Sequence, residues 1–265
     1  MKKRVLVTGD WHCGHVVGLT PPEWQYQIVE GSDDPVIIYR NKYAKIQRQM
    51  WKWWTDSLEK WKPFDRMIVN GDSVDGKGER SGGTEQITTD RFEQGAMSGK
   101  CAEQAECDDI ASTYGTPYHV GTGEDFENAA ADKMGATIES HLEREVEGVR
   151  IDARHFISGS TIPHGRYTAL AREDLWRPTW ADRSDKFAPH IVLRSHVHYY
   201  AYAGNEFCHM STVPCMQGLG SKFGSRKCSG TVSLGFLVID CEDGKYTIHK
   251  EVIPLAQQVS KWKPW

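Results

Sequence analysis

Apolar residues recur along the chain in two rhythms. Val5-Leu6-Val7, Met67-Ile68-Val69 and Ile191-Val192-Leu193 are short unbroken runs of β-formers, the length of a buried strand. Between the first two, Ile46, Met50, Trp53, Trp54, Leu58 and Trp61 return at spacings of three and four, with Lys, Gln and Glu between them. That spacing predicts a helix over Tyr43–Trp61, ended by Pro63. Softer stripes predict helices over Thr84–Asp109, over Glu127–Glu147 with Met134, Ile138 and Leu142, and over Tyr167–Trp176 before Pro178. The stretch from Cys13 to about Arg40, with Pro21-Pro22 and Gly31-Ser32-Asp33-Asp34-Pro35, opposes regular structure and is expected to be a loop. Val149–Ile157 alternates like a strand. Tyr199–Ala203, Glu206–Val213, Thr231–Asp240 and Lys245–Val252 follow as antiparallel strands, with a hairpin turn at Asp243-Gly244. Strand–helix–strand alternation in the first half predicts an α/β fold with a largely parallel central sheet. No boundary divides the chain, so one domain over residues 1–265 is expected.

Composition narrows the function classes. A net charge of -4 gives no global basic field for nucleic acid, though it leaves room for a local groove. No apolar run approaches the roughly 18–20 residues that span a bilayer, so no membrane partner is expected. Val5–Val7 is too short for a signal-peptide core, which points to a cytoplasmic protein. The seven cysteines contain no CxxC pair, which argues against both a disulfide framework and a Cys-rich zinc site. The histidines are more informative. Asp10, His12, Asp72, His164, His196 and His198 each lie at the end of a predicted strand or in the turn just after one. In α/β sheets ligands collect beyond the carboxyl ends of the strands. Asp-x-His alone would be an ordinary surface turn. Six such residues, spread from the first to the last third of the chain, point to a two-metal site. Carboxylate oxygen and imidazole nitrogen together suit Mn, Fe, Zn or Ni. Two cations about 3.5–4 Å apart need a bridging anion, and Asp72 is the natural one.

These residues resemble the calcineurin-like metallophosphoesterases. Gly9-Asp10-Trp11-His12, Gly71-Asp72-Ser73-Val74-Asp75, His164-Gly165 and Ser195-His196-Val197-His198 follow the order of that superfamily's Asp-x-His, Gly-Asp-x-x-Asp, lone His and Gly-His-x-His blocks. Ser195 replaces a glycine. The resemblance covers about residues 4–200. It implies a four-layer αββα sandwich, two mixed sheets flanked by helices, and two divalent ions, Mn first, with Fe, Zn or Ni as alternatives. One ion would take Asp10, His12, Asp72 and His198; the other would take Asp72, His164 and His196 with a residue of the third block. Asp75 would be a supporting residue. The Gly-Asn-His-Asp/Glu third block is missing, and two registers compete for it. Gly115-Thr116-Pro117-Tyr118-His119 keeps an imidazole and is preferred; Gly121-Thr122-Gly123-Glu124 aligns more directly and loses it.

The implied activity is hydrolysis of phosphate esters, first of phosphodiesters, with a nucleotide or nucleic acid among the candidate substrates. Asp72 and His119 are the candidate catalytic residues, the latter to protonate a leaving group. Arg166 and His15 are candidates for substrate binding. A phosphomonoesterase of the protein-phosphatase kind and a non-catalytic metal-binding scaffold are the alternatives. The oligomeric state is not legible.

Overall fold

A computed structural model of the chain describes residues 1–121, 123, 125–183, 187–219 and 232–255. The strands are β1 (Lys3–Thr8), β2 (Arg66–Asn70), β3 (Ile110–Thr113), β4 (Thr137–Glu139), β5 (Leu142–Val146), β6 (Val149–Ala153), β7 (Ile191–Arg194), β8 (Tyr202–Gly204), β9 (His209–Thr212), β10 (Val232–Glu242) and β11 (Lys245–Leu255). The helices are α1 (Pro35–Glu59), α2 (Arg91–Glu103), α3 (Pro117–Val120), α4 (Asp125–Met134) and α5 (Gly165–Arg183). They build two mixed sheets. One has the order β11-β10-β1-β2-β3-β4, the other β5-β6-β7-β9-β8. The parallel part expected from the sequence is β1 to β4, and β10 joins it antiparallel to β1.

Alternation along the strands explains the layering, because successive side chains point to opposite faces. Val5, Val7, Ile68, Leu237 and Ile239 of the first sheet meet Leu142, Val149, Ile151, Ala153, Ile191 and Leu193 of the second. Leu6, Met67, Val69, Phe236 and Val238 point the other way, onto Met50, Trp54 and Leu58 of α1, Met97 and Cys101 of α2, and Phe126 of α4. On the far side of the second sheet Leu170 of α5 packs with Val192 and Met210. The result is helix, sheet, sheet, helix. Among the described residues no helix is long and apolar enough to cross a membrane.

Three expected elements change. α1 starts at Pro35 rather than Tyr43, because Asp34 caps it by accepting from the Val36 amide at 2.8 Å and Pro35 suits a first helical position. The long helix over Glu127–Glu147 stops at Met134, where Gly135 takes a φ of 66°, and β4 and β5 follow. α5 begins at Gly165 and runs through Pro178 to Arg183 instead of ending at Trp176. The β10–β11 hairpin turns where expected, with positive φ at both Asp243 and Gly244.

Candidate metal centre

The strand-end turns do not carry their ligands by simple strand alternation. β1 stops at Thr8, and Asp10 and His12 both take left-handed backbone angles, φ 49° and 47°. Asp72, His196 and His198 do the same at 48°, 72° and 56°. L-residues other than Gly, Asn and Asp rarely sit there. Cross-connections hold them in place. The Asp10 amide donates to Gly71 O at 2.9 Å, the His12 amide to Asp72 O at 3.0 Å, and the His196 amide to Asp10 Oδ2 at 3.1 Å. Each turn is thereby tied to another turn of the site.

The side chains converge. Asp10, His12 and His198 form one trio whose ligand atoms lie within 4.8 Å of one another; His12, Asp72 and His119 form a second, and Asp72, His155 and His196 a third. His198 Nε2 lies 3.2 Å from Asp10 Oδ1 and 3.1 Å from His12 Nε2. His155 Nε2 lies 3.0 Å from Asp72 Oδ2 and 4.0 Å from Asp10 Oδ1. Asp10, His12, Asp72 and His155 are all buried.

Three imidazoles are fixed in the tautomer a metal ligand needs. His155 Nδ1 lies 2.8 Å from Asn70 O, and His119 Nδ1 lies 2.8 Å from Asp75 O. A carbonyl only accepts, so both rings donate from Nδ1, and in their neutral form the lone pair lies on Nε2. His12 Nδ1 lies 2.8 Å from Asp75 Oδ1, and Gln86 Nε2 donates to Asp75 Oδ2 at 2.6 Å, so Asp75 supports rather than ligates. Asp10 Oδ1 and His155 Nε2 are buried and make no hydrogen bond. A carboxylate oxygen and, once its proton is lost, an imidazole nitrogen from facing trios fit a divalent cation.

Charges reinforce one another. Burial opposes ionisation of Asp10, but the His198, His12 and His155 rings hold its carboxyl well below the usual range. Asp72 is likewise held low, against burial, by His155 and His119. Burial pulls His12 down, yet its bonds to Asp10 and Asp75 raise it well above an ordinary histidine. His155 is pushed up to about 9, burial being outweighed by Asp72. Burial lowers His119 and His196.

The structure gathers Asp10, His12, Asp72, His119, His196 and His198. It does not bring His164 to them: His164 is exposed in the turn before α5 and belongs to none of the trios. His155 stands in the third trio instead. The sequence pattern hides it inside the expected strand Val149–Ile157. Its signal is position: β6 ends at Ala153, and His155 follows in the same place relative to its strand as His196 relative to β7. His15 is buried, and its Nδ1 accepts from the Val17 amide at 3.1 Å, which leaves Nε2 as the donor. Arg166 lies over the Tyr199 ring, 4.4 Å from its centroid.

The third block has a divided solution. The Thr116 amide donates to Asp72 Oδ1 at 2.7 Å, and its hydroxyl lies 3.3 Å from both oxygens of that carboxylate. His119, one turn on in α3, supplies the imidazole. Gly115 is required by approach, since a Cβ there would sit 2.0 Å from Asp72 Oδ1. In the competing register Thr122 and Glu124 lie outside the described residues.

Two facing mixed sheets between helices, with the Asp and His set at the carboxyl ends of β1, β2, β6 and β7, match the architecture the motifs imply. The two mixed sheets flanked by helices are the αββα arrangement expected from the motif resemblance. Similar solved structures include Vps29 of Entamoeba histolytica complexed with Zn2+, at 13% identity and a TM-score of 0.45, covering 95% of this chain and 98% of that one. An archaeal phosphodiesterase is similar at 10% identity and a TM-score of 0.43, covering 93% and 99%. A predicted phosphoesterase of Streptococcus pneumoniae is similar at 10% identity and a TM-score of 0.38, covering 96% and 98%. No family model matches the chain, and no curated protein matches it in sequence.

Proposed function

We propose that this chain is a metal-dependent phosphodiesterase. The observation that carries the proposal is the convergence of three imidazoles on two carboxylates: His12, His119 and His155 are each anchored through Nδ1, which turns Nε2, once deprotonated, to the ligand side around Asp10 and Asp72. Asp10, His12 and His198 would hold one divalent ion. Asp72, His155 and His196 would hold the other, with Asp72 also facing the first group through His12 and His119. Divalent ions supply Lewis acidity toward phosphoryl oxygens and make hydroxide accessible near neutral pH.

The residues around them have separate tasks. Asp75 orients His12 and His119 at once, through its carboxylate and its carbonyl. Thr116 fixes Asp72. His119 is neutral at pH 7, because burial lowers its pKa, and its Nε2 then accepts rather than donates. It therefore suits ligation or proton acceptance better than protonation of a leaving group.

The test is turnover of bis-p-nitrophenyl phosphate and of p-nitrophenyl phosphate by protein first stripped with chelator and then loaded with Mn. Diester turnover that needs added metal is expected. Turnover of the monoester alone would replace the diester assignment. Stoichiometric metal uptake without turnover of either would leave a metal-binding scaffold, the role for which Thr116, standing in place of an amide ligand, gives a motive.

A further inference from the structure

A cavity lies on the opposite face of the sheet whose strand ends carry His155 and His196. Along β6 and β7, Ile151, Ala153, Ile191 and Leu193 face the other sheet. Asp152, Arg154, Val192 and Arg194 alternate outward, beneath α5, and line a cavity of about 480 Å3. That size is in the range of small-ligand sites. A helix covering a sheet normally lays an apolar stripe on it. In α5 only Leu170 is fully buried, and it lies in the first half of the helix. Trp176 and Trp180, in the second half, are each 54% exposed although they line the cavity. The sheet beneath them is mostly charged, with Asp152, Arg154 and Arg194 beside Val192.

The floor of the cavity is rigid and polar. Arg194 is 3% exposed and donates to Asp152 Oδ1 and to Glu173 Oε2, both at 2.6 Å. His141 Nε2 lies 2.6 Å from Asp152 Oδ2. Both oxygens of Asp152 are thus engaged, by Arg194 and His141. Arg177, another lining residue, has a buried Nε with no hydrogen-bond partner. Above this floor the Trp176 and Trp180 rings stand 6.3 Å apart at 36°.

Aromatic faces on one side and fixed donors and acceptors on the other are what a flat, polar heterocycle requires. We propose that this cavity binds a nucleobase, carried by a mononucleotide or by a single strand, stacked on Trp176 and Trp180 with its edge toward Arg177 and the Arg194–Asp152 pair. The site is separate from the metal centre. His155 serves that centre, while Arg154, the residue before it, lines the cavity.

Calorimetric titration of the whole chain in EDTA tests the proposal, with adenosine monophosphate, ribose 5-phosphate and a deca-deoxyadenylate as probes. Adenosine monophosphate is expected to bind and ribose 5-phosphate not to. Trp176→Ala and Trp180→Ala should each weaken binding roughly 5- to 150-fold, the range for loss of one base–aromatic stack. Both rings are half exposed, so the variants should keep the wild-type unfolding midpoint and unchanged hydrolysis of bis-p-nitrophenyl phosphate. Tighter binding of the oligonucleotide would identify a strand site, and equal or weaker binding a nucleotide site; either supports base recognition. Equal binding of ribose 5-phosphate, no binding of any probe, or full binding by both Trp variants overturns it. Because binding is read without metal, a failure at the metal centre is told apart from a failure here.

Discussion

Glu127→Gln is the most revealing single substitution away from the ligands. Glu127 projects from α4 and is fully buried. Its Oε1 accepts from the Ser73 amide at 3.0 Å and its Oε2 from the Ser73 hydroxyl at 2.9 Å. Burial, and then the charge of Asp72 next to Ser73, push its pKa from 4.5 up to about 8. In the unfolded chain the group ionises above 4.5; in the fold it stays protonated to about 8. The fold binds the extra proton between those values, so stability is full below 4.5 and is lost as pH rises toward 8. The whole gap is worth up to about 5 kcal/mol, of which roughly 3 kcal/mol falls between pH 5 and pH 8. The substituted side-chain amide would keep the acceptor on the Ser73 amide and does not titrate. The variant should therefore gain on wild type by about 3 kcal/mol from pH 5 to pH 8 in chelator-treated protein. Urea unfolding at several pH values, at constant slope, measures this directly. Adding Mn should shrink the gap, because positive charge at Asp72 offsets the field that keeps Glu127 neutral. Parallel pH profiles for wild type and variant in EDTA would refute the reasoning.

Two further expectations concern the metal centre. His155→Ala should lower metal affinity at least roughly tenfold, while His164→Ala leaves metal content unchanged, as read by elemental analysis after dialysis; the opposite pattern would restore His164 to the site. Metal binding should also release protons. His155 is raised to about 9, so it is charged at pH 7 in the metal-free protein and must lose its proton to ligate. Apparent affinity should then climb with pH up to about 9, and calorimetry in buffers of different ionisation enthalpy should detect proton release of about one or more at pH 7; no release would place His155 outside the coordination shell.

Much of this arrangement was legible because its information is local. Asp10, His12, Asp72, His196 and His198 follow apolar strands at fixed short distances, and a strand end is visible in one sequence. His155 was not, because what recruits it is contact between distant segments. Its ring is held by Asn70 O, and its carbonyl accepts from the Ser195 amide at 2.7 Å. Nothing near residue 155 announces either partner, whereas His164-Gly165 offered a motif-like pair that lies at the start of α5. The long helix expected over Glu127–Glu147 failed for a related reason. A helical stripe and a strand alternation overlap around Leu142, and burial between the two sheets decides for the strand.

The left-handed backbone explains why the legible residues sit where they do. Eight non-glycine residues among those described have positive φ, and five of them are Asp10, His12, Asp72, His196 and His198. Each such residue costs on the order of 1–2 kcal/mol unless its surroundings compensate. An aspartate tolerates this conformation through local hydrogen bonding; a histidine visits it more often than most residues but still pays for its Cβ. The three histidines are therefore stabilised from elsewhere, by the His12 amide on Asp72 O, the His196 amide on Asp10 Oδ2, and the Ser233 amide on His198 O at 2.9 Å. The candidate ligand set is thus its own scaffold. Asp10 and Asp72 offer carboxylates inward and fix the turns of the histidines beside them, so replacing either aspartate removes charge and geometry together.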